Sequence, residues 1–125
     1  MQNHTLVSVD LAKLVFQIAV SEVPGKVTRR LRLRRDEFLE FFAQLQPATV
    51  VMEACGSAHF WGRRIEALGH RVVLLPPQYV RPYVLRNKTD GTDAKGLLEA
   101  VRNEAIRPVP VKSVDQHVLA GLHRM

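Results

Sequence analysis

Hydrophobic and polar positions recur along this chain in short, changing rhythms. Thr5-Leu6-Val7-Ser8-Val9-Asp10 is a β-branched run that ends on an acid, and Leu14-Val15-Phe16-Gln17-Ile18-Ala19-Val20 follows as a second run. Both have the composition of strands, and Leu11-Ala12-Lys13 between them is short enough for a hairpin. Ser21 to Lys26, with Pro24-Gly25, is a turn by composition. Val27, Arg29, Leu31 and Leu33 then alternate with Arg30, Arg32 and Arg34, which predicts a third antiparallel strand with an exposed basic face. Those arginines either protect a sheet edge by charge or touch phosphate.

Beyond this point the period lengthens. Phe38, Leu39, Phe41, Phe42 and Leu45 make the apolar face of a short helix, with Asp36 as its N-cap and Gln46-Pro47 as its stop. Ala48-Thr49-Val50-Val51-Met52-Glu53-Ala54 is almost wholly apolar, the pattern of a strand buried on both faces of a parallel sheet. Glu53 interrupts it at the carboxyl end, and a buried glutamate is costly unless paired or liganded. Cys55-Gly56-Ser57 turns the chain, and Ser57 caps a helix whose core face is Phe60, Trp61, Ile65 and Leu68, with Gly69 as the stop. Cys55 is expected as a small buried thiol beside that turn. His59 and His70 stand in no ligand spacing and are expected on the surface or in packing.

Arg71-Val72-Val73-Leu74-Leu75 predicts another buried strand, closed by Pro76-Pro77. Gln78 to Lys88 interleaves Tyr79 and Tyr83 with Arg81, Arg86 and Lys88, and Pro82 argues against one uninterrupted helix there. The segment is either a partly helical connection with its tyrosines packed on the sheet, or a nucleic-acid contact through stacking and phosphate pairing. A helix from about Thr92 to Ala105 follows, marked by Leu97, Leu98, Val101 and Ala105, and Arg107-Pro108-Val109-Pro110-Val111 is an extended exit. Ser113 and Gln116 form a capping-box pattern ahead of Val114, Val118, Leu122 and Met125. The sequence stops inside that last helix. It reads as one domain over 1–112 and, over 113–125, the start of a truncated helix leading to a missing C-terminal region.

The order β-β-β-α-β-α-β-α opens with a meander and continues with crossovers, which predicts an α/β fold with a mixed sheet flanked by helices. At 125 residues the chain is long enough to bury a real core, and 46% apolar with 24% charged residues is ordinary for a globular protein. Charge changes the picture more. Eighteen Lys and Arg against 12 Asp and Glu give a net +6, which favours a polyanionic partner, nucleic acid before membrane. The single cysteine rules out an internal disulfide framework. With no signal-peptide pattern and no apolar run near the ~20 residues of a membrane helix, a cytoplasmic location is expected.

Against that basic background four acids stand out. Asp90 and Asp93 are three residues apart where a loop enters a helix, so they can share one face; helix capping alone would explain an isolated pair. Asp10 and Glu53 each end an apolar run. If the Glu53 strand lies parallel beside the Asp10 strand, their carboxyl ends are neighbours at about 4.8 Å strand spacing. The last helix can then bring Asp90 and Asp93 over that same edge, where open α/β sheets commonly place their sites. Four converging carboxylates predict a divalent-metal site suited to Mg²⁺ (or Mn²⁺) and to phosphodiester chemistry. Lys13, Arg81, Arg86 and Lys88 are the candidate nucleic-acid-binding cations.

Four segments carry a resemblance to a known family. Val9-Asp10-Leu11-Ala12-Lys13, Met52-Glu53-Ala54-Cys55-Gly56-Ser57, Leu75-Pro76-Pro77-Gln78-Tyr79-Val80 and Asn87-Lys88-Thr89-Asp90-Gly91-Thr92-Asp93-Ala94 resemble, in that order, the DEDD-type insertion-sequence transposases. These form the family numbered one hundred and ten, relatives of the pilin-gene invertases, and the resemblance spans about Leu6 to Lys112. It implies a RuvC-like member of the ribonuclease H fold with a five-stranded sheet, and a metal-binding, catalytic tetrad of Asp10, Glu53, Asp90 and Asp93. It also implies DNA as substrate, a structured guide RNA in some members and a homo-oligomer in the full-length protein. The family's serine-bearing C-terminal domain is absent from this chain, and no serine here takes that role. The expected function is metal-dependent DNA strand cleavage and joining during transposition. The competing readings are a stand-alone junction-resolving nuclease of the same fold and a non-catalytic remnant that binds nucleic acid or a partner transposase.

Overall fold

The computed structural model describes residues 5–11, 14–86 and 94–115. Five strands form one mixed sheet: β1 (Leu6–Leu11), β2 (Val15–Ser21), β3 (Arg29–Arg34), β4 (Thr49–Glu53) and β5 (Arg71–Leu75). Four helices complete the described chain: α1 (Arg35–Gln44), α2 (Gly56–Ala67), α3 (Pro77–Arg86) and α4 (Ala94–Ala100). The strand order is β3-β2-β1-β4-β5. Strands β1, β2 and β3 pair antiparallel, whereas β4 runs parallel to both β1 and β5. This is the mixed five-stranded α/β sheet expected from the sequence, in an arrangement consistent with a ribonuclease H-like fold.

Side-chain alternation divides the core between the two faces of the sheet. Val7, Val9, Phe16, Ile18, Val50, Met52 and Leu74 point to one face, where Phe38 and Phe42 of α1 and Ala58 and Ile65 of α2 close over them. Val51, Val73 and Leu75 point to the other and meet Val80 of α3 and Leu97 and Ala100 of α4. Ala94 and Leu98 of α4 also cover Ala19 of β2. The run around β4 was so apolar because that strand is buried on both faces.

Local signals at the ends of elements hold at some positions and are corrected at others. Gly69 adopts φ +97° after α2, and the His70 and Gly69 amides donate to the Ile65 and Glu66 carbonyls, a Schellman stop. Arg34, not Asp36, occupies the N-cap of α1, and Glu37 Oε1 accepts its backbone N–H at 2.9 Å. Cys55, not Ser57, is the N-cap of α2. That position leaves its thiol exposed rather than buried. Pro82 lies inside α3, so the helix is continuous where an interruption was predicted. A mid-helix proline costs about 3 kcal/mol; burial of Val80, with Tyr83 and Val84 packed beside it on the β4–β5 cluster, offsets that cost.

Helix α4 ends at Ala100 rather than Ala105. Asn103 explains the early stop, because its Oδ1 accepts the Ala105 N–H at 3.0 Å and so competes for a helical donor. Neither histidine is a surface residue. His70 Nδ1 accepts the Ala48 N–H at 3.1 Å, so Nε2 carries the proton donated to the Phe42 carbonyl at 2.7 Å. One buried ring thereby ties the end of α1, the start of β4 and the start of β5. His59 Nδ1 accepts the Lys112 N–H at 3.0 Å, which fastens the exit segment to α2. That segment also meets the sheet edge, where the Val109 N–H donates to the Leu74 carbonyl at 2.7 Å.

Helices α3 and α4 cross closely at Gly96. A Cβ there would lie 2.9 Å from the Val84 amide nitrogen and 3.1 Å from the Tyr83 carbonyl carbon. Both neighbours are backbone, so the crossing must open to admit a methyl group. Gly96→Ala is expected to destabilise the fold by about 1–3 kcal/mol, despite alanine's better helix propensity. Chemical denaturation of parent and variant measures this, and equal midpoints would show that the crossing relaxes freely.

Candidate functional site

The parallel pairing of β1 and β4 creates the site. Leu6, Val7, Ser8 and Val9 pair with Thr49, Val50, Val51 and Met52, so the next residues on the two strands are Asp10 and Glu53. Adjacent strands lie about 4.8 Å apart. Alternation from Val9 and Met52, which belong to the α1–α2 core, turns both acids to the α3–α4 face of the sheet. They line one cleft of about 210 Å³ with Val9, Leu11, Cys55 and Leu97. Asp10 is half-buried. Glu53 is exposed, which corrects the expectation of a buried acid: β4 ends there, so its last side chain meets the mouth of the cleft instead of the core.

A second feature converges on this face. Ser8 is fully buried, two residues before Asp10, and its hydroxyl donates to the Ala94 carbonyl at 2.6 Å. The start of α4 is thus anchored to the middle of β1. A buried serine with this partner is satisfied. Leu97, one turn further on, forms part of the cleft wall. Sequence reasoning treated Ser8 as one member of a strand run; only a contact across 86 residues reveals its role.

Asp90, Asp93, Lys13 and Lys88 lie outside the described residues. Among the described residues, no group of three or more His, Cys, Asp or Glu side chains stands close enough together to hold a metal ion. The structure therefore brings together Asp10 and Glu53, one half of the expected set. Arg81 and Arg86 are exposed on α3. Of the two tyrosines on α3, Tyr83 packs on the β4–β5 cluster and its hydroxyl accepts a hydrogen bond from Asn103 Nδ2 at 3.0 Å, while Tyr79 is exposed. Among the described residues, no helix is long and apolar enough to cross a membrane.

No family model matches the chain. Curated proteins do. The chain is 44% identical over 123 residues to the "Probable family 20 transposase" of Pseudomonas aeruginosa, covering 98% of this chain and 36% of that protein. It is 40% identical over its full length to the transposase for insertion sequence element IS1328 of Yersinia enterocolitica, of which it covers 37%. The transposase for insertion sequence element IS1111A of Coxiella burnetii is 38% identical over 122 residues, 98% of this chain and 34% of that protein. The homologues are transposases of insertion-sequence elements, and the chain spans about a third of the length of those it matches.

Proposed function

We propose that this chain is the metal-dependent catalytic portion of a DNA transposase, with Asp10, Glu53, Asp90 and Asp93 as its metal-binding set. One observation carries the reading. Asp10 and Glu53 lie near the carboxyl ends of adjacent parallel strands on the same face, and Ser8 ties Ala94, the residue after Asp93, to that face. The first residue of α4 is thus fixed to β1 two residues before Asp10, and the reading assigns Asp90 and Asp93, which precede it in the sequence, to the same metal. The named transposase relatives supply the reaction class, strand cleavage and joining in DNA.

The donor set fits the ion. Carboxylate oxygens are hard ligands, and Mg²⁺ takes few of them while keeping waters and substrate phosphate. Bound there, Mg²⁺ would supply Lewis-acid stabilisation of phosphoryl charge and a water of lowered pKa. The protein's own part is to hold the acids on rigid strand ends and to seat a phosphodiester in the cleft. Leu97 and Leu11 on the cleft wall exclude water from one side of it.

The reading predicts that the ion stabilises the fold. At a free Mg²⁺ or Mn²⁺ concentration ten times Kd, the gain is about 1.4 kcal/mol, seen as a rise in melting temperature of several degrees. Asp10→Ala should abolish that rise. A melting temperature indifferent to millimolar Mg²⁺ and Mn²⁺ in the parent chain would overturn the metal site.

A further inference from the structure

Two arginines of β3, Arg30 and Arg32, share a face with the acidic cleft. Asp10 pairs with Gln17 and Gln17 pairs with Arg32, so the three stand in one row across β1, β2 and β3. Ser8, Ala19 and Arg30 form the row beside it. Ser8 and Ala19 meet α4 on the cleft side of the sheet, and pleating puts Arg30 and Arg32 on that same side. Both arginines are exposed. Arg32 lies two strand spacings from Asp10, roughly 10 Å, within the span of an arginine side chain plus one step along a nucleic-acid backbone.

Charge gathers on the opposite bank as well. Helix α4 rests on β1, β2 and β4, which leaves the β2–β3 half of this face as the floor of a shallow groove. Lys95 of α4 and Arg102 of the following turn stand on one side of it, and Lys26 of the β2–β3 turn stands opposite, around a hollow of about 130 Å³. Further along the same face, Gln17, Arg30 and Arg32 border a second hollow of about 260 Å³. Glu99 is the single acid on the first hollow's wall.

Arginines at the ends of this segment make contacts of their own. Arg29 lies over the Phe41 ring at 6.0 Å, Arg35 lies over Phe16 at 5.8 Å, and Arg34 reaches Asp36 and Glu37 at 3.4 Å. Edge protection needs charge of either sign, and mixed signs would serve with less self-repulsion. A run of one sign, aligned with a cleft built for phosphodiester chemistry, is better explained by a polyanion.

We propose that Arg30 and Arg32, with Lys26, Lys95 and Arg102 along the groove, form a track for the DNA strand flanking the phosphate held at Asp10 and Glu53. The inference rests on the transposase reading for its choice of DNA. Residues i and i+2 of a strand repeat at about 6.8 Å, so Arg30 and Arg32 meet successive backbone phosphates. Contacts of this kind position the strand without reading its sequence.

The test is binding without divalent metal, by anisotropy of a labelled DNA oligonucleotide in EDTA across a salt series. Arg30→Gln with Arg32→Gln should weaken binding roughly 10-fold or more near 0.1 M salt and lower the slope of log K against log salt by about 2. Arg71→Gln with Arg107→Gln removes the same charge elsewhere and should leave affinity and slope near the parent's. Unchanged binding in the first variant, or an equal loss in the second, overturns the track. So does a loss confined to RNA of the same sequence. Arg30 and Arg32 are both exposed, so an unaltered melting temperature certifies folding. The Mg²⁺-induced rise in that temperature should persist in the β3 variant; its absence from the parent as well would count against the metal site and leave the track standing.

Discussion

Asp10→Asn is expected to lower Mg²⁺-dependent nicking of DNA by this chain by more than about 100-fold, beyond the 10–100-fold typical of losing an outer-shell partner of a metal. Asparagine keeps the shape of the side chain and removes the charge that would hold the ion at the proposed site, so the loss should appear in the rate at saturating DNA and not in DNA affinity. Glu53→Gln should behave alike. Glu66→Gln, an exposed acid on α2 across the sheet, should have no effect. The same substitution carries an opposite expectation for stability. Asp10 and Glu53 stand on strands about 4.8 Å apart; two like charges at that separation would repel by at most about 3–4 kcal/mol at an effective dielectric of 20, and solvent screening reduces that at a cleft mouth. In EDTA, Asp10→Asn should therefore melt at the parent's temperature or slightly above it. Undiminished nicking would remove Asp10 from the site, and a clear loss of stability in EDTA would make it a structural residue.

That pairing of effects follows from strand order, which the hydrophobic pattern conveyed well. The continuous apolar run of β4 marked a central strand, and the β-branched run of β1 ended on the one acid that a parallel neighbour could match. What the sequence withheld were quantities set by register and by distant contacts. Whether Arg32 shares a face with Asp10 depends on two antiparallel registers, and a slip of one residue in either would turn the arginines to the other side. The partners of His70 are 22 and 28 residues away, so spacing rules built for ligands could not find them. Pro82 misled for a related reason. Its local cost is real, but tertiary packing of α3 outweighs it, as it routinely outweighs propensity. The neighbours of Glu53 are buried and predict the same for it, but a side chain that ends a strand answers to the edge of the sheet.

Phe38→Ala should produce the largest loss of stability among single substitutions in the described core. The Phe38 ring is fully buried and meets Phe16, Phe42 and Trp61 edge-to-face, with centroids at 4.6, 5.1 and 5.2 Å. Removing it sacrifices the transfer of the ring from water and leaves a void whose walls are themselves rigid rings, so collapse is limited. The expected cost is about 3–5 kcal/mol, a large part of the roughly 5–15 kcal/mol that such domains possess, and a fall in melting temperature on the order of 10–20 °C. Phe38 lies on the α1–α2 face, and the acids lie on the other. Whatever fraction remains folded should therefore still gain stability from Mg²⁺, by the same increment as the parent. The two faces would then divide the labour: aromatic variants lower the baseline and preserve the ion's increment, whereas acid variants preserve the baseline and erase the increment. Thermal melts of Phe38→Ala with and without Mg²⁺ check both halves at once. A cost below about 1 kcal/mol would mean that the aromatic cluster repacks around the void. A lost increment in a folded variant would mean that the core and the cleft are not independent.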